Sequence, residues 1–375
     1  MTNITEKYAP EVTLTSEGRP VGTRPALGYA ATDKTAPLRP FPFQRREPGP
    51  HDVSLDILYC GVCHSDLHQV RDEWGNTVWP CLPGHEIVGR VTAVGDQVTR
   101  FKVGDLAGVG CMVDSCQACA ACQAGEEQYC QNGFLATYNG PFKPDGSNTF
   151  GGYSDHIVVT ERFVLRIPEN LAPETVAPIL CAGVTTYSPL KHWKVGPGMR
   201  VGIVALGGLG HMAVQLAVAL GAEVTVFTTR PDKAQDAIKL GARAAVLSTD
   251  EEAMKPLEAS LDFILNTIPT RHDVNPYLKL LGHDGHLVLV GALEPMEPVD
   301  NTLVASQRLS MAGSLIGSLA ETQEVLDFCG KHGLSAQVEV VKIQDINTVF
   351  ERMMNEEIHY RAVIDLASLK QETLA

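Results

Sequence analysis

Four cysteines, Cys116, Cys119, Cys122 and Cys130, fall within one short stretch as C-x2-C-x2-C-x7-C. Tetrahedral zinc takes four thiolates at about 2.3 Å, and short loops bring such thiols together cheaply. The spacing predicts a closed structural zinc site; reduced surface thiols and an iron–sulfur cluster are the alternatives, and the spacing suits the cluster less well. Further candidates lie apart: Cys63 in Cys60-Gly-Val-Cys63-His64-Ser65-Asp66, His85 in Pro83-Gly84-His85-Glu86, and Cys181 in Leu180-Cys181-Ala182-Gly183. Singly, each reads as an ordinary small or polar core residue. Together they offer two thiolates and an imidazole with one position open, which is what a catalytic zinc requires. Spacing alone does not group these three.

A second kind of chemistry is written at Ala205-Leu206-Gly207-Gly208-Leu209-Gly210, which follows a strand pattern and opens a helical one. That is the context of a dinucleotide-binding turn. Ala205 stands where G-x-G-x-x-G has its first glycine, so the turn is expected to use a φ below zero there. Gly207 leaves room for a pyrophosphate and Gly210 allows close packing of the helix. The next strand ends Val226-Phe227-Thr228-Thr229-Arg230, with no Asp or Glu to hold ribose hydroxyls. Two hydroxyls and an Arg suit a 2′-phosphate instead, so NADP(H) is the expected cofactor. Lys233 is a further basic candidate, its alternative being a solvated charge on a helix.

These residues need elements to hold them. From about residue 26 to 180, short β-rich runs are broken by Gly, Pro and Asp: Val53–Tyr59, Glu86–Val94, Tyr153–Val159 and Phe163–Ile167, the grammar of an irregular β domain. From about 181, apolar strands alternate with helical segments: Arg200–Leu206, Met212–Leu220, Val224–Phe227, Lys233–Leu240, Ala244–Leu247, Phe263–Thr267 and Leu287–Gly291. Such alternation predicts a doubly wound parallel sheet of Rossmann type. A helix over Thr322–His332 and a strand over Arg361–Asp365 follow and are expected to return to the first domain. The expected fold is α/β in two domains, residues 1–180 with 318–375 and residues 181–317.

Composition narrows the partners. At 375 residues the chain is long enough for two cores, and its 44% hydrophobic and 20% charged content is that of a globular protein. A formal net charge of −14 repels nucleic-acid phosphates and anionic membranes alike. Neither is an expected partner. The first 25 residues lack the features of a secretory signal. Val201–Ala222 carries no Asp, Glu, Lys or Arg but has five glycines, and reads as strand, turn and buried helix rather than a membrane span. Ten cysteines, several of them clustered, in a chain without a signal favour metal over disulfides and a cytoplasmic location.

From about residue 40 onward, CGVCHSDLH, PGHE, the four-cysteine cluster, LCAGVTTYSPL, ALGGLGH and GSLIGS stand in the order and spacing of the zinc-dependent medium-chain alcohol dehydrogenases. The chain most resembles their cinnamyl alcohol dehydrogenase branch and its bacterial broad-range aldehyde reductases. The resemblance implies a GroES-like catalytic domain beside the Rossmann domain, two zinc ions per chain and NADP(H). It assigns the catalytic zinc to Cys63, His85 and Cys181, a ligand set already known for alcohol dehydrogenase, and leaves Cys60 as a neighbour. It places Glu86 beside the metal and makes Asp66 the acceptor for the zinc-bound imidazole. Ser65 and His68 match its proton relay, Ser65 touching the substrate oxygen and His68 nearer solvent; cap and surface residues are their bland readings. His64, Thr185, Val290, Gly291, Ser314, Leu315 and Ile316 fall on its cofactor side. Trp74 and Trp79 fall where it lines the substrate channel, although either also suits a core. Leu135 and Leu315 stand where plant cinnamyl alcohol dehydrogenases carry large aromatics, which points to a broad pocket for aromatic and medium aliphatic aldehydes. Family members of this type pair as homodimers through their cofactor domains, and the strand around Leu309–Ile316 is the expected edge.

The reaction implied is polarisation of an aldehyde carbonyl by zinc, hydride delivery from NADPH and protonation through the relay, or its reverse. Polyol dehydrogenases are the nearest enzymatic rival; they typically place a carboxylate where this chain has Cys181. A zinc hydrolase would not need the cofactor turn, and a nucleotide-sensing regulator would have no use for Ser65 and His68.

Overall fold

Strand Asp52–Val62 is buried on both faces over most of its length, and three partners pair with it antiparallel: Ile87–Val94, His156–Thr160 and Arg361–Asp365. The computed structural model describes residues 22–140, 148–291 and 294–372. The amino-terminal stretch read for a secretory signal lies outside the described residues up to residue 21. Those residues form two compact units. One runs through Cys181 and includes Ser318–Gly330 and the described chain from Gln337 on; the other is Ala182–Gly317 with Lys331–Ala336.

In the first unit the sheet runs Val338–Lys342, Arg361–Asp365, Asp52–Val62, Ile87–Val94, Leu106–Val109, Leu165–Arg166, with His156–Thr160 branching from Asp52–Val62. Only the first two strands are parallel to each other. Val53, Leu55, Ile87, Val109, Phe163 and Ile364 share its core, and each such side chain contributes about 1.5–3 kcal/mol on leaving water. The register does functional work. Cys60 lies opposite Ile87 on one side and Ile364 on the other, so Cys63, the His85-Glu86 pair and Arg361 all emerge at one end of the sheet.

Two segments differ from their sequence patterns. Tyr153 and Ser154 precede the strand, which begins at His156, and Glu161–Phe163 is a 3-10 turn before the short strand Leu165–Arg166. The hairpin Thr23–Ala30 with Arg39–Arg46 was not anticipated, because Pro25, Pro40 and Pro42 argue against a strand. A two-stranded ribbon tolerates them, since few ladder donors are required of it.

In the second unit six strands are all parallel, in the order Ala244–Leu247, Glu223–Thr228, Arg200–Val204, Leu261–Asn266, Leu281–Leu289, Ser310–Gly313. Parallel strands need crossovers; helices Gly210–Ala219 and Pro231–Lys239 supply the first two. The charge-free stretch Val201–Ala222 is one strand and one helix with buried Val201, Ile203, Met212, Val214 and Leu216. No helix among the described residues is long and apolar enough to cross a membrane.

Candidate metal centres and cofactor turn

The Sγ atoms of Cys116, Cys119, Cys122 and Cys130 all lie within 4.8 Å of one another. Cys119 caps helix Ala120–Gln123, which turns Cys122 back toward Cys116. The Cys116–Cys122 and Cys119–Cys130 sulfur pairs are 3.9 and 4.0 Å apart. A tetrahedron with bonds of about 2.3 Å has edges of about 3.8 Å, so the four sulfurs fit zinc. Backbone N–H groups at Ala118 and Cys119 hold the Cys116 thiol down to about 6, whereas burial pushes Cys130 up to about 12. The proton on Cys130 is therefore one that metal binding must release.

The other donors converge as the resemblance implies, Glu86 among them: Cys63, His85, Cys181 and Glu86 each offer an atom within 4.8 Å of the rest, all buried. Cys63 ends the central strand and caps helix His64–Val70. Cys181 follows the 3-10 turn Ala177–Leu180. His85 Nε2 lies 3.2 Å from Cys181 Sγ, near enough for one metal ion to take both as ligands. Cys60 is outside the group, its thiol directed at the Gly61 carbonyl. Cys111 was only counted in the sequence; its thiol is the first cause of the raised Cys181 thiol, ahead of Cys63.

Asp66 is fully buried and saturated. Its Oδ1 accepts from His85 Nδ1 (3.1 Å) and Gly84 N (3.0 Å), its Oδ2 from Cys63 N (2.9 Å) and Tyr153 Oη (3.1 Å). Accepting at Nδ1 fixes the tautomer that presents Nε2 to the thiols. Glu86 pairs through Oε1 with the buried Arg361, while its Oε2 has no partner. Burial pushes the Glu86 carboxyl up to about 7 in spite of Arg361. An orphaned carboxylate oxygen beside two thiols and an imidazole fits a bound dication.

Ser65 Oγ accepts from Cys63 Sγ at 3.6 Å. His68 does not lie nearer solvent than Ser65: it is buried, with Nδ1 2.5 Å from Glu73 Oε2. The helix turns His68 inward beneath Trp74, whose ring meets it edge-on at 5.9 Å. Glu73 is the exposed end, and sequence reasoning missed it because a carboxylate after a helix is an ordinary solvated charge. Tyr138, 5.6 Å ring to ring from His85, was missed likewise. Trp74 is exposed, Trp79 packs beside the core and Leu135 is half-buried in a two-residue strand.

In the second unit the expected cofactor residues collect at the carboxyl ends of the parallel strands, where open α/β sheets bind ligands. One expectation is corrected: Ala205 has φ +70°, not a negative value. Ala205 N donates to Phe227 O (2.8 Å) and His211 N to Gly207 O (3.0 Å); these bonds fix the turn, so the residue takes the left-handed conformation despite its Cβ. Gly207 faces open space, while a Cβ at Gly210 would meet Ala205 O at 2.1 Å. Thr267 Oγ1 ties the turn to Val204 O at 2.8 Å, a contact without a sequence signal. Gly208 and Leu209 complete the turn, Leu209 capping the helix.

Thr228 ends its strand buried, and its Oγ1 accepts from Arg230 N at 3.2 Å; Thr229 is exposed. Arg230 is bidentate with Asp232 at 3.1 and 2.8 Å. Lys233 is half-buried on helix Pro231–Lys239. Val290 N bonds Asn266 O (3.1 Å) and Ser314 N bonds Leu289 O (3.0 Å), with Gly291, Leu315 and Ile316 following at the same strand ends. Thr185 is buried on helix Ala182–His192, and His64 is exposed at the start of its own helix.

Two family models match: the alcohol dehydrogenase GroES-like domain over residues 49–169 and the zinc-binding dehydrogenase domain over residues 208–331. An aldehyde reductase of Escherichia coli (strain K12) is 52% identical over 337 residues, 89% of this chain and 96% of that one. A cinnamyl alcohol dehydrogenase of Sorghum bicolor superposes with a TM-score of 0.91 at 44% identity, over 94% of this chain and all of that one. A cinnamyl alcohol dehydrogenase of Helicobacter pylori complexed with NADP(H) gives 0.86 at 41% identity, over 94% of this chain and 100% of that one.

Proposed function

The chain belongs to the zinc-dependent medium-chain alcohol dehydrogenases, in their cinnamyl alcohol dehydrogenase branch, and from that premise we propose how its residues interconvert primary alcohols and aldehydes with NADP(H). The observation that carries the reading is the buried donor set Cys63, His85 and Cys181, backed by Asp66 and flanked by Glu86 and Ser65. Zinc held there supplies a Lewis acid for a carbonyl oxygen, and NADPH supplies hydride.

Asp66 holds the His85 ring in one tautomer. Arg361 balances the charge of Glu86 and leaves its free oxygen aimed at the donor set. Ser65 gives a proton to the substrate oxygen on reduction and takes one on oxidation, His68 exchanges it onward, and Glu73 is the outer acceptor. Trp74, Trp79, Tyr138 and Leu135 are the first unit's substrate-lining candidates, and the smaller side chain at Leu135 suits broad aromatic and medium aliphatic aldehydes. Ala205 to Gly210 cradle the pyrophosphate, while Thr228, Thr229, Arg230 and Lys233 read the 2′-phosphate. Thr185, His64, Val290, Gly291 and Ser314 to Ile316 complete the cofactor contacts. Residues 1–180 with 318–375 form the catalytic domain and residues 181–317 the cofactor domain in this reading.

Cys116, Cys119, Cys122 and Cys130 hold the second, structural zinc. Thiolate ligands need a reducing compartment, which supports a cytoplasmic location. Strand Ser310–Gly313 ends its sheet with one edge unpaired among the described residues, which supports pairing of two copies there; light scattering that shows a monomer at micromolar concentration overturns that part. The test of the activity is kcat/KM for a panel of aldehydes and alcohols with NADPH and NADH, on protein of measured zinc content. Turnover of polyols but not primary alcohols would replace this reading with the polyol dehydrogenase one.

A further inference from the structure

Arg45 lies in the hairpin strand Arg39–Arg46, yet its residue is only 7% exposed. A buried guanidinium needs acceptors for its fork, and three of the four come from one segment, the carbonyls of Phe150 (2.9 Å) and Gly151 (3.2 Å) and Ser154 Oγ (2.9 Å), the fourth being the carbonyl of His156 (2.8 Å) at the start of the strand that follows. The segment has little regular structure of its own. Its backbone is instead laced to the residues just before His85, with Gly151 N on Leu82 O (2.8 Å), Gly152 N on Gly84 O (2.9 Å) and Tyr153 N on Pro83 O (3.0 Å). From the other side, Tyr29 N of the same hairpin donates to Tyr153 O at 2.9 Å.

Tyr153 is the segment's one long reach inward. Its hydroxyl donates to Asp66 Oδ2, the carboxylate whose other oxygen holds His85 Nδ1. Without that hydroxyl, Asp66 keeps the N–H of Cys63 on Oδ2 but loses the donor that orients it from the sheet side. Without Arg45, three acceptors in the segment and one just after it lose their common donor, and the segment is left held by the Leu82–Gly84 lacing and Tyr29 N.

We propose that Arg45 is a positioning residue for the catalytic metal site, acting through the Phe150–Ser154 segment and the Tyr153 hydroxyl on Asp66 and His85. This rests on the reading that Cys63, His85 and Cys181 hold a metal. It separates from a merely structural role because the Cys116–Cys130 site serves as an internal reference. Outer partners of metal-bound histidines typically affect metal affinity by about 10–100-fold.

The experiment uses the full-length holoenzyme with both sites metal-loaded, then cobalt-exchanged, and follows metal loss to a chelator by the distinct absorption of the two sites. Tyr153→Phe removes a single oxygen and keeps the core filled. It and Arg45→Met are expected to weaken metal binding at the Cys63 site about 10–100-fold, with the four-cysteine site unchanged, and Arg45→Lys to fall between them and the unmodified protein. Tyr153→Phe that holds its metal like the unmodified protein overturns the inference. So does Arg45→Met that loosens both sites alike. Unmodified protein that binds one metal per chain, lost on Cys116→Ser, overturns the underlying metal reading instead.

Discussion

Arg230→Ala is expected to lower the preference for NADPH over NADH by about 5- to 30-fold. Charge-assisted hydrogen bonds are worth about 1.5–3 kcal/mol each, but the Arg230 side chain is 40% exposed and already bidentate with Asp232 at 3.1 and 2.8 Å. A 2′-phosphate therefore displaces or shares an existing partner in a solvent-screened setting. That reduces the net contribution to about 1–2 kcal/mol, or the fold-change above at about 1.4 kcal/mol per tenfold. The pair adds a second arm. Asp232→Asn keeps the shape and removes a negative charge next to the guanidinium proposed to read the phosphate, so it should move the preference the opposite way, further toward NADPH. Thr228→Asp should reverse the preference, because a carboxylate repels the phosphate and accepts ribose hydroxyls. The measurement is kcat/KM for both cofactors with one saturating aldehyde. A ratio unmoved by Arg230→Ala refutes the assignment of the phosphate to this strand end.

Elemental analysis of protein purified without chelators should give two zinc per chain; Cys116→Ser should lose one along with thermal stability, and Cys63→Ser should lose the other along with turnover while staying folded. His68→Ala and Glu73→Gln should each slow alcohol oxidation on the order of tenfold to a hundredfold and alter its pH dependence while the NADPH Kd stays put, and an unchanged profile in both would remove them from the proton path. At Asp52 burial alone would raise the carboxyl, but Arg46 and the Gly49 N–H hold it below its ordinary value. Its contribution is thus present above the unfolded carboxyl pKa of about 3.9 and disappears as pH falls through the lower folded value. Urea midpoints should show Asp52→Asn less stable by about 1 kcal/mol at pH 7, with the gap shrinking as the pH falls below the unfolded carboxyl value; a gap that does not shrink on acidification would mean that charge is not the cause.

Legibility in the sequence tracked how local each constraint is. The four-cysteine loop closes within one stretch, so spacing sufficed. The parallel strands announced themselves through apolar runs ended by turns, and Ala244–Leu247 and Arg361–Asp365 fall where the pattern put them. Cys63, His85 and Cys181 needed a family resemblance, because only the register of Asp52–Val62 against Ile87–Val94 brings the first two together. Arg361, Tyr153, Glu73 and Arg45 had no signal. Each gains its role from a partner far along the chain or outside the motif, and a lone Arg at a strand end looks like surface charge. Ala205 failed differently: propensity argued for a negative φ, and the hydrogen bonds of the turn overrode it.

The pairing of Arg361–Asp365 with Asp52–Val62 also sets an order of events during synthesis. Residues 182–317 form a contiguous stretch and carry all six strands of their sheet, lacking only Lys331–Ala336 of their unit, so that sheet can close as it emerges from the ribosome. The older, amino-terminal unit cannot. Until residues 361–365 have been made, Glu86 lacks the Arg361 guanidinium and residues 59–62 of the central strand stay unpaired, along the edge whose residues 52–56 already pair with His156–Thr160. The unit that holds both sets of metal donors is thus begun first and finished last, and in the interval residues 59–62 offer unpaired backbone groups to any other chain that reaches them.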